Sequence, residues 1–551
     1  MEQFEFIVTL YNREDLDDFY DDMETPGGNL FIPDRNVSVV HKRKISRNTH
    51  YMLTFDEAEL VKTDPRVRDV EFASAAEVVH PAGFSITGKF SKDAFSDIDD
   101  INWGLLRHSE TSNRSNWGID GSANQTATVN FTASGKNVDV VIVDGHIDPA
   151  HPEFAVNPDG TGGSRVNQFN WFSLTNAVTG GTNGTYAYDR SGSYTNPADV
   201  TDNNHGCHCG GTVAGNTQGW ARDANVYNIS PYRSNPNTLS SNLIWDYIRE
   251  WHNTKTVNPV TGRKNPTITN NSYGSTITAN AGDFGPVTQV TYRGTTFSPG
   301  RSLTPAELRD RGFYTVDGEE ISIPYYFTSR ISDMEDAIND GIIIVASAGN
   351  SYWKTTNSTD QDYNNSYQVT YFGFTQTFWL HRGTGSAAGL GANIVVGATS
   401  NDVNENKADF SNCGNQVDVF AAGQDIQSSL HTGSISQSDP RNPSYKLGKS
   451  SGTSMSGPQV AGVLALLAEQ WPGMTQAQAQ TWIVNNANTD QMADTETDNP
   501  MDVDSLQGAP NKYLRWINQR PEAGSVFPKR NFSNRPTSGN TYPRLRVRRR
   551  G

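Results

Sequence analysis

Four short segments of this chain carry side chains able to do nucleophilic acid–base chemistry, each where one kind of element gives way to another. Asp144 closes the apolar run Val138–Val143 and is followed at once by Gly145. A carboxylate at the carboxyl end of a central parallel strand sits where open α/β sheets place their sites, although an Asp-Gly pair alone serves a turn equally well. The cluster His205-Gly206-Cys207-His208-Cys209-Gly210-Gly211 reads as a helix with Cys209 one turn beneath His205. His205, Cys207, His208 and Cys209 also suggest metal ligation. That reading is second choice, because zinc sites use spaced ligand pairs and the only other cysteine is Cys413. Ser347-Ala348-Gly349-Asn350 leaves the apolar run Gly341–Val345, so Asn350 either turns the chain or offers its amide to an oxyanion. Gly452-Thr453-Ser454-Met455-Ser456-Gly457-Pro458 opens an apolar-periodic helix, which makes Ser454 an N-cap or a nucleophile. The neighbouring Gly448-Lys449-Ser450 is no phosphate loop, since Pro443 stands where the required glycine would be.

These groups need a scaffold that brings distant element ends together. Short Val/Ile-rich runs, Val138–Val143, Asn225–Ile229, Thr267–Asn271, Ile342–Val345, Ile394–Val396 and Val417–Phe420, alternate with helical segments Leu239–His252, Ile331–Asp340, Met455–Glu469 and Thr475–Asn486. That alternation predicts a doubly wound, mostly parallel α/β sheet covered on both faces. Ahead of it, residues 1–75 form a small α+β pattern: strands Phe4–Leu10, Val37–Val40, Tyr51–Phe55 and Val67–Phe72, with helices Arg13–Met23 and Glu57–Lys62. Residues 76–101 read as a Gly/Ser/Asp-rich linker, 102–488 as the main domain, and 489–551 as a Pro/Asn-rich extension with an Arg-rich end. The polar stretches 157–204, 275–328 and 352–388 read as surface excursions.

Composition narrows the function classes. At 551 residues the chain exceeds one core. With 44 basic and 60 acidic side chains the net charge is −16, which argues against nucleic acid as a partner except through the Arg-rich tail. No apolar run reaches the ~18 residues of a membrane span. Three cysteines make no disulfide framework, and Met1–Glu5 lacks a secretory n-region, so cytoplasm or a virion is favoured over classical secretion.

Taken as an ordered set, Asp144, His205, Asn350 and Ser454 resemble the subtilisin-like serine peptidases. Val140–Phe154, including His151-Pro152-Glu153-Phe154, is similar to that family's aspartate block. His205–Gly215 is similar to its histidine block in the proteinase K-like version, with Cys209 at the cysteine position. Gly452–Gly462 resembles the serine block, and Phe410-Ser411-Asn412 with Val417–Gly423 the landmark before it. The resemblance implies a Ser454–His205–Asp144 triad and an Asn350 oxyanion donor. It implies a substrate strand held by Asn271, Ser272, Tyr273, Gly274, Ser347, Ala348 and Gly349, with polypeptides as substrates. Cys209 is then a packing thiol. The first domain resembles the family's inhibitory propeptide, which implies that it is an intramolecular inhibitor cut between Ala73 and Ile101. Gly145, His146, Cys207, Ala422 and Gln459 depart from the usual pattern without removing a proton-transfer group. No cofactor is implied, and no calcium site carries over, because the segment after Gly215 lacks the Asn-rich calcium loop. The competing reading is a structural or interaction protein of the same fold, such as a virion component, that keeps its first domain.

Overall fold

The computed structural model describes residues 3–31, 37–42, 46–72, 84–180, 193–196, 204–231, 239–274, 276–279, 284–298, 304–312, 321–324, 328–371, 374–383, 393–431, 436–495, 500 and 502–517. The chain divides into two compact units, residues 1–83 with 254–265, and residues 84–253 with 266–551.

In the first unit, strands Ser38–Lys42, Asn48–Leu53, Phe4–Leu10 and Val67–Phe72 form an antiparallel sheet in that order. Alternation along the second residue set explains it: Phe6, Val8 and Leu10 are buried with Tyr51 and Leu53, whereas their neighbours are half-exposed. Helix Leu16–Glu24 adds Phe19 and Met23 to this core. Helix Phe55–Lys62 starts on a capping box, in which Thr54 and Glu57 satisfy each other's backbone N–H groups.

The larger unit is built on an eight-stranded sheet in the order 488–489, 512–513, 419–422, 394–399, 343–347, 267–271, 139–143, 225–229. All its pairings are parallel except that of the two short strands at one edge. The Val/Ile runs are continuous because both faces are buried. Val140, Ile142, Ile343, Val345, Ile394 and Val396 enter one core, while Val141, Val143, Ile344, Ala346 and Val395 enter the other. The first core contains helix His205–Ala214 and helix Thr453–Gln470; the second contains helix Ile244–Thr254 and helix Thr328–Asn339. This is the doubly wound sheet that the alternation predicts. Among the described residues no helix is long and apolar enough to cross a membrane.

Three boundaries differ from the sequence reading. The linker assigned to 76–101 is a linker at most to residue 83, with 73–83 outside the described residues. From Phe84 the chain belongs to the larger unit: strand Ser85–Ser91 lies between Asp100–Asn102 and Asn124–Asn130, and Phe84 stacks on Phe131 at 4.4 Å. Its lysines hid it. Lys92 is fully buried, 2.5 Å from Glu405 and 4.5 Å above the Trp103 ring, so a polar-looking segment is core. The extension assigned to 489–551 likewise begins later. Tyr513, Leu514 and Trp516 are buried and Lys512–Tyr513 joins the sheet, the apolar residues arriving singly among polar ones. The Arg-rich end lies outside the described residues. Finally, the second and third polar excursions share an antiparallel sheet of strands 295–297, 284–292, 366–371 and 374–379, with a core of Val287, Val290, Leu308, Tyr367, Val369, Phe378 and Leu380.

Candidate active site

Asp144 follows the strand Asp139–Val143, and its N–H reaches the Ile229 carbonyl across to the next strand at 3.2 Å. Its side chain is fully buried. Oδ1 accepts from the Gly145 N–H at 2.7 Å and lies 2.7 Å from Nδ1 of His205. His205 is the first residue of its helix, set there by Asn204 in a left-handed conformation with φ 64°. Gly206 is obligatory at this junction, since a Cβ would lie 2.1 Å from the Gly145 carbonyl oxygen. The Asp144 carboxylate, foremost, holds the His205 pKa well above the ordinary imidazole range. Burial pushes the Cys209 thiol up, so it is neutral and adds no lasting charge beside the ring.

The serine helix contributes Ser454 in its first turn. Pro458 inside that turn has no N–H, so the Ser454 carbonyl lacks its intrahelical partner. Two side chains take it instead: the Ser272 hydroxyl at 3.2 Å and the Cys209 thiol at 3.3 Å. Cys209 therefore joins the histidine helix to the backbone of Ser454. The Ser454 hydroxyl itself is bonded to the Ser272 carbonyl at 3.4 Å rather than to His205. Before the helix, Gly452 adopts φ 156° and ψ 162°, a conformation kept for glycine, and a Cβ there would meet Asn350 Nδ2 at 3.1 Å.

Asn350 follows the strand Ile343–Ser347. Its Oδ1 accepts from the Thr453 N–H at 2.8 Å and the Thr453 hydroxyl at 2.7 Å. Because a backbone N–H can only donate, this pairing fixes which end of the amide is which. Nδ2 is left without a partner among the described residues, on an exposed residue. Thr453 Oγ1 also accepts from the Gly349 N–H at 3.0 Å, and Asn412 ties the same turn by donating to the Ala348 carbonyl at 2.8 Å. Thr453 was not among the residues singled out from sequence; its position directly before Ser454 was the available signal.

Asn350 and Ser454 line a cleft of about 270 Å³ with Ser272, Tyr273, Gly274, Ser347, Gly349, Ser351 and Thr453, none of them charged. Of the expected substrate residues, Asn271 and Ala348 do not line it. Asn271 is buried with its amide on the Val345 carbonyl at 3.0 Å, and Ala348 is core. Tyr273 lines the cleft and also packs on the second core. Of the alternative metal cluster, His205 and Cys209 stay together beside Asp144, Sγ 3.8 Å from Nδ1, while Cys207 and His208 turn elsewhere. Cys207 Sγ takes the Asp148 N–H at 3.2 Å, and fully buried His208 meets the Ile426 carbonyl at 2.8 Å, its pKa lowered to about 4 by burial.

Asp144 with His205 and Asn350 with Ser454 thus form two pairs at element ends of a doubly wound sheet, and Cys209 links them, its thiol 3.8 Å from His205 Nδ1 and 3.3 Å from the Ser454 carbonyl. The sequence profile of the subtilase family matches residues 135–509, more than half of the chain, and the chain belongs to that family. It is 36% identical over 110 residues to alkaline serine exoprotease A of Vibrio alginolyticus, covering 20% of this chain and 18% of that protein. It is 30% identical over 154 residues to subtilisin of Bacillus pumilus, covering 28% and 42%. The matched stretches therefore span less than half of these relatives' own length. Among solved structures, a cold adapted subtilisin-like serine proteinase aligns with a TM-score of 0.42 and 19% identity, covering 75% of this chain and 98% of the other.

Proposed function

We propose that this chain is a serine endopeptidase. Ser454 attacks the scissile carbonyl while His205 takes its proton and later gives it to the leaving amine. For that, the Ser454 hydroxyl turns from the Ser272 carbonyl toward His205. Asp144 orients the ring and stabilises the imidazolium as it forms. The tetrahedral oxyanion is held by Asn350 Nδ2 and the Ser454 N–H, at a helix start where negative charge is favoured. Substrate lies extended along Ser272–Gly274 and Ser347–Gly349, and the uncharged cleft lining favours an uncharged residue beside the cut. No cofactor enters the reaction. What supports this reading is the Asp144–His205 contact, the Asn350 amide oriented by Thr453 and sharing a cleft with Ser454, and Cys209 between His205 and the Ser454 carbonyl. Hydrolysis of an unfolded protein by wild type and by Ser454→Ala tests it. Loss of about 10⁶-fold in kcat is expected for the variant; equal rates would exclude the assignment.

Residues 1–75 are proposed as an inhibitory propeptide, in keeping with their resemblance and their own core. The processing bond then belongs before Phe84, because a cut within 85–91 would sever the central strand of a three-stranded sheet and one within 92–99 would detach that strand from the chain that follows. N-terminal sequencing of matured chain checks this, and a new terminus beyond Phe84 would contradict it.

A further inference from the structure

We propose that His431 is a positioning residue for the Asp144–His205 couple, an inference that rests on the peptidase reading above. His431 stands just past the strand Ile426–Leu430, which runs along the histidine helix. Ser428 and Ser429 of that strand donate their hydroxyls to the carbonyls of His208 and Cys207 at 2.9 and 2.8 Å. At the strand's end, the His431 N–H donates to Oδ1 of Asn204 at 2.8 Å, and Asn204 is the residue that places His205 at the helix start.

The His431 ring faces the loop that follows Asp144. Nδ1 lies 2.6 Å from Oδ2 of Asp148, a fully buried carboxylate four residues beyond Asp144. Asp148 in turn gives its N–H to the Cys207 thiol at 3.2 Å. These contacts close a ring that runs from the Asp144 loop through Asp148, His431 and Asn204 to His205, and back across the 2.7 Å contact to Asp144. The separation of Asp144 and His205 is thus set from outside the couple as well as within it. With an apolar residue at position 431, the buried Asp148 carboxylate loses the imidazole 2.6 Å from its Oδ2 and must move toward water. The segment that moves with it is 144–148, which carries Asp144. A misplacement of about 1 Å in such a site costs on the order of 100-fold in rate.

The test compares His431→Leu, His431→Gln, Asp148→Asn and the double variant His431→Leu/Asp148→Asn in the matured protein. For each, kcat and KM on a peptide substrate are normalised to the number of sites titrated by a fluorophosphonate. His431→Leu should lower kcat per titrated site by about 10- to 100-fold with KM unchanged. His431→Gln, whose amide can still donate to Asp148, should recover most of that rate, and the double variant should lose less than the sum of its parts. An unchanged kcat per titrated site in His431→Leu, with only Tm or the number of sites reduced, would overturn the proposal; so would a Gln variant as impaired as Leu. Wild type that neither cleaves nor labels would overturn the peptidase reading itself, and this inference with it.

Discussion

The two halves of the site are held together by different physics. Asp144 and His205 meet through charge, a buried carboxylate against an imidazole whose protonated form it favours. Asn350 and Ser454 meet through neutral hydrogen bonds, with Thr453 fixing the amide and Ser272 and Cys209 completing the carbonyl that Pro458 leaves open. On the proposed mechanism the acid–base half changes its charge during turnover, which suits a partner that stabilises the charged form. The oxyanion half must not reorganise, so it is set by donors already aimed. On the proposed mechanism one half is pH-sensitive and the other is not.

The comparison can be broken most severely at Asp144. Asp144→Asn should lower kcat by about 10⁴-fold, because the ring loses the partner that fixes its tautomer. The same change should move the acid limb of kcat/KM to lower pH. The sign follows from His205 having to be neutral to act as base: with its pKa raised, activity appears only as pH rises through that value, and removing Asp144 lowers it. The paired carboxylate also stabilises the fold while His205 is protonated, a contribution lost as pH climbs through the same value. Asn350→Ala should cost about 100- to 1,000-fold in kcat and leave the acid limb where it is. A shift of that limb would show that the halves are coupled.

Smaller changes sharpen the contrast. Thr453→Val keeps the backbone donor to Asn350 but removes the hydroxyl and its two neutral hydrogen bonds, to Asn350 Oδ1 and from the Gly349 N–H, so kcat should fall by roughly 10- to 100-fold. Steady-state kinetics on a peptide would read this, and a change in KM alone would reassign Thr453 to substrate binding. The smallest effect belongs to Cys209. Cys209→Ser preserves a donor to the Ser454 carbonyl and should be close to wild type, whereas Cys209→Val should lose about threefold or less, thiols being weak donors. Equal loss in both would point to packing against the core instead.

The groups proposed to do chemistry were legible as candidates because each stands at an element end beside small residues, and that pattern survives in one dimension. Asp144, His205, Asn350 and Ser454 all fell where the alternation of strands and helices put such ends. The residues that hold them were not legible, because their partners are remote in sequence. His431 reaches Asn204 across 227 positions, and Thr453 reaches Asn350 across 103. The same blindness displaced the boundaries. Lys92 looks like surface until Glu405, 313 residues away, neutralises it in the core. Tyr513, Leu514 and Trp516 carry no periodicity of their own and become core only by docking on a finished sheet.

The most direct test of the central assignment is labelling with a fluorophosphonate followed by peptide mapping, on the full chain and on chain clipped between residues 73 and 83. A single adduct on Ser454 is expected, absent from Ser454→Ala and slow to form in Asp144→Asn. An adduct on another serine, or none after clipping, would contradict the assignment of Ser454 as the nucleophile.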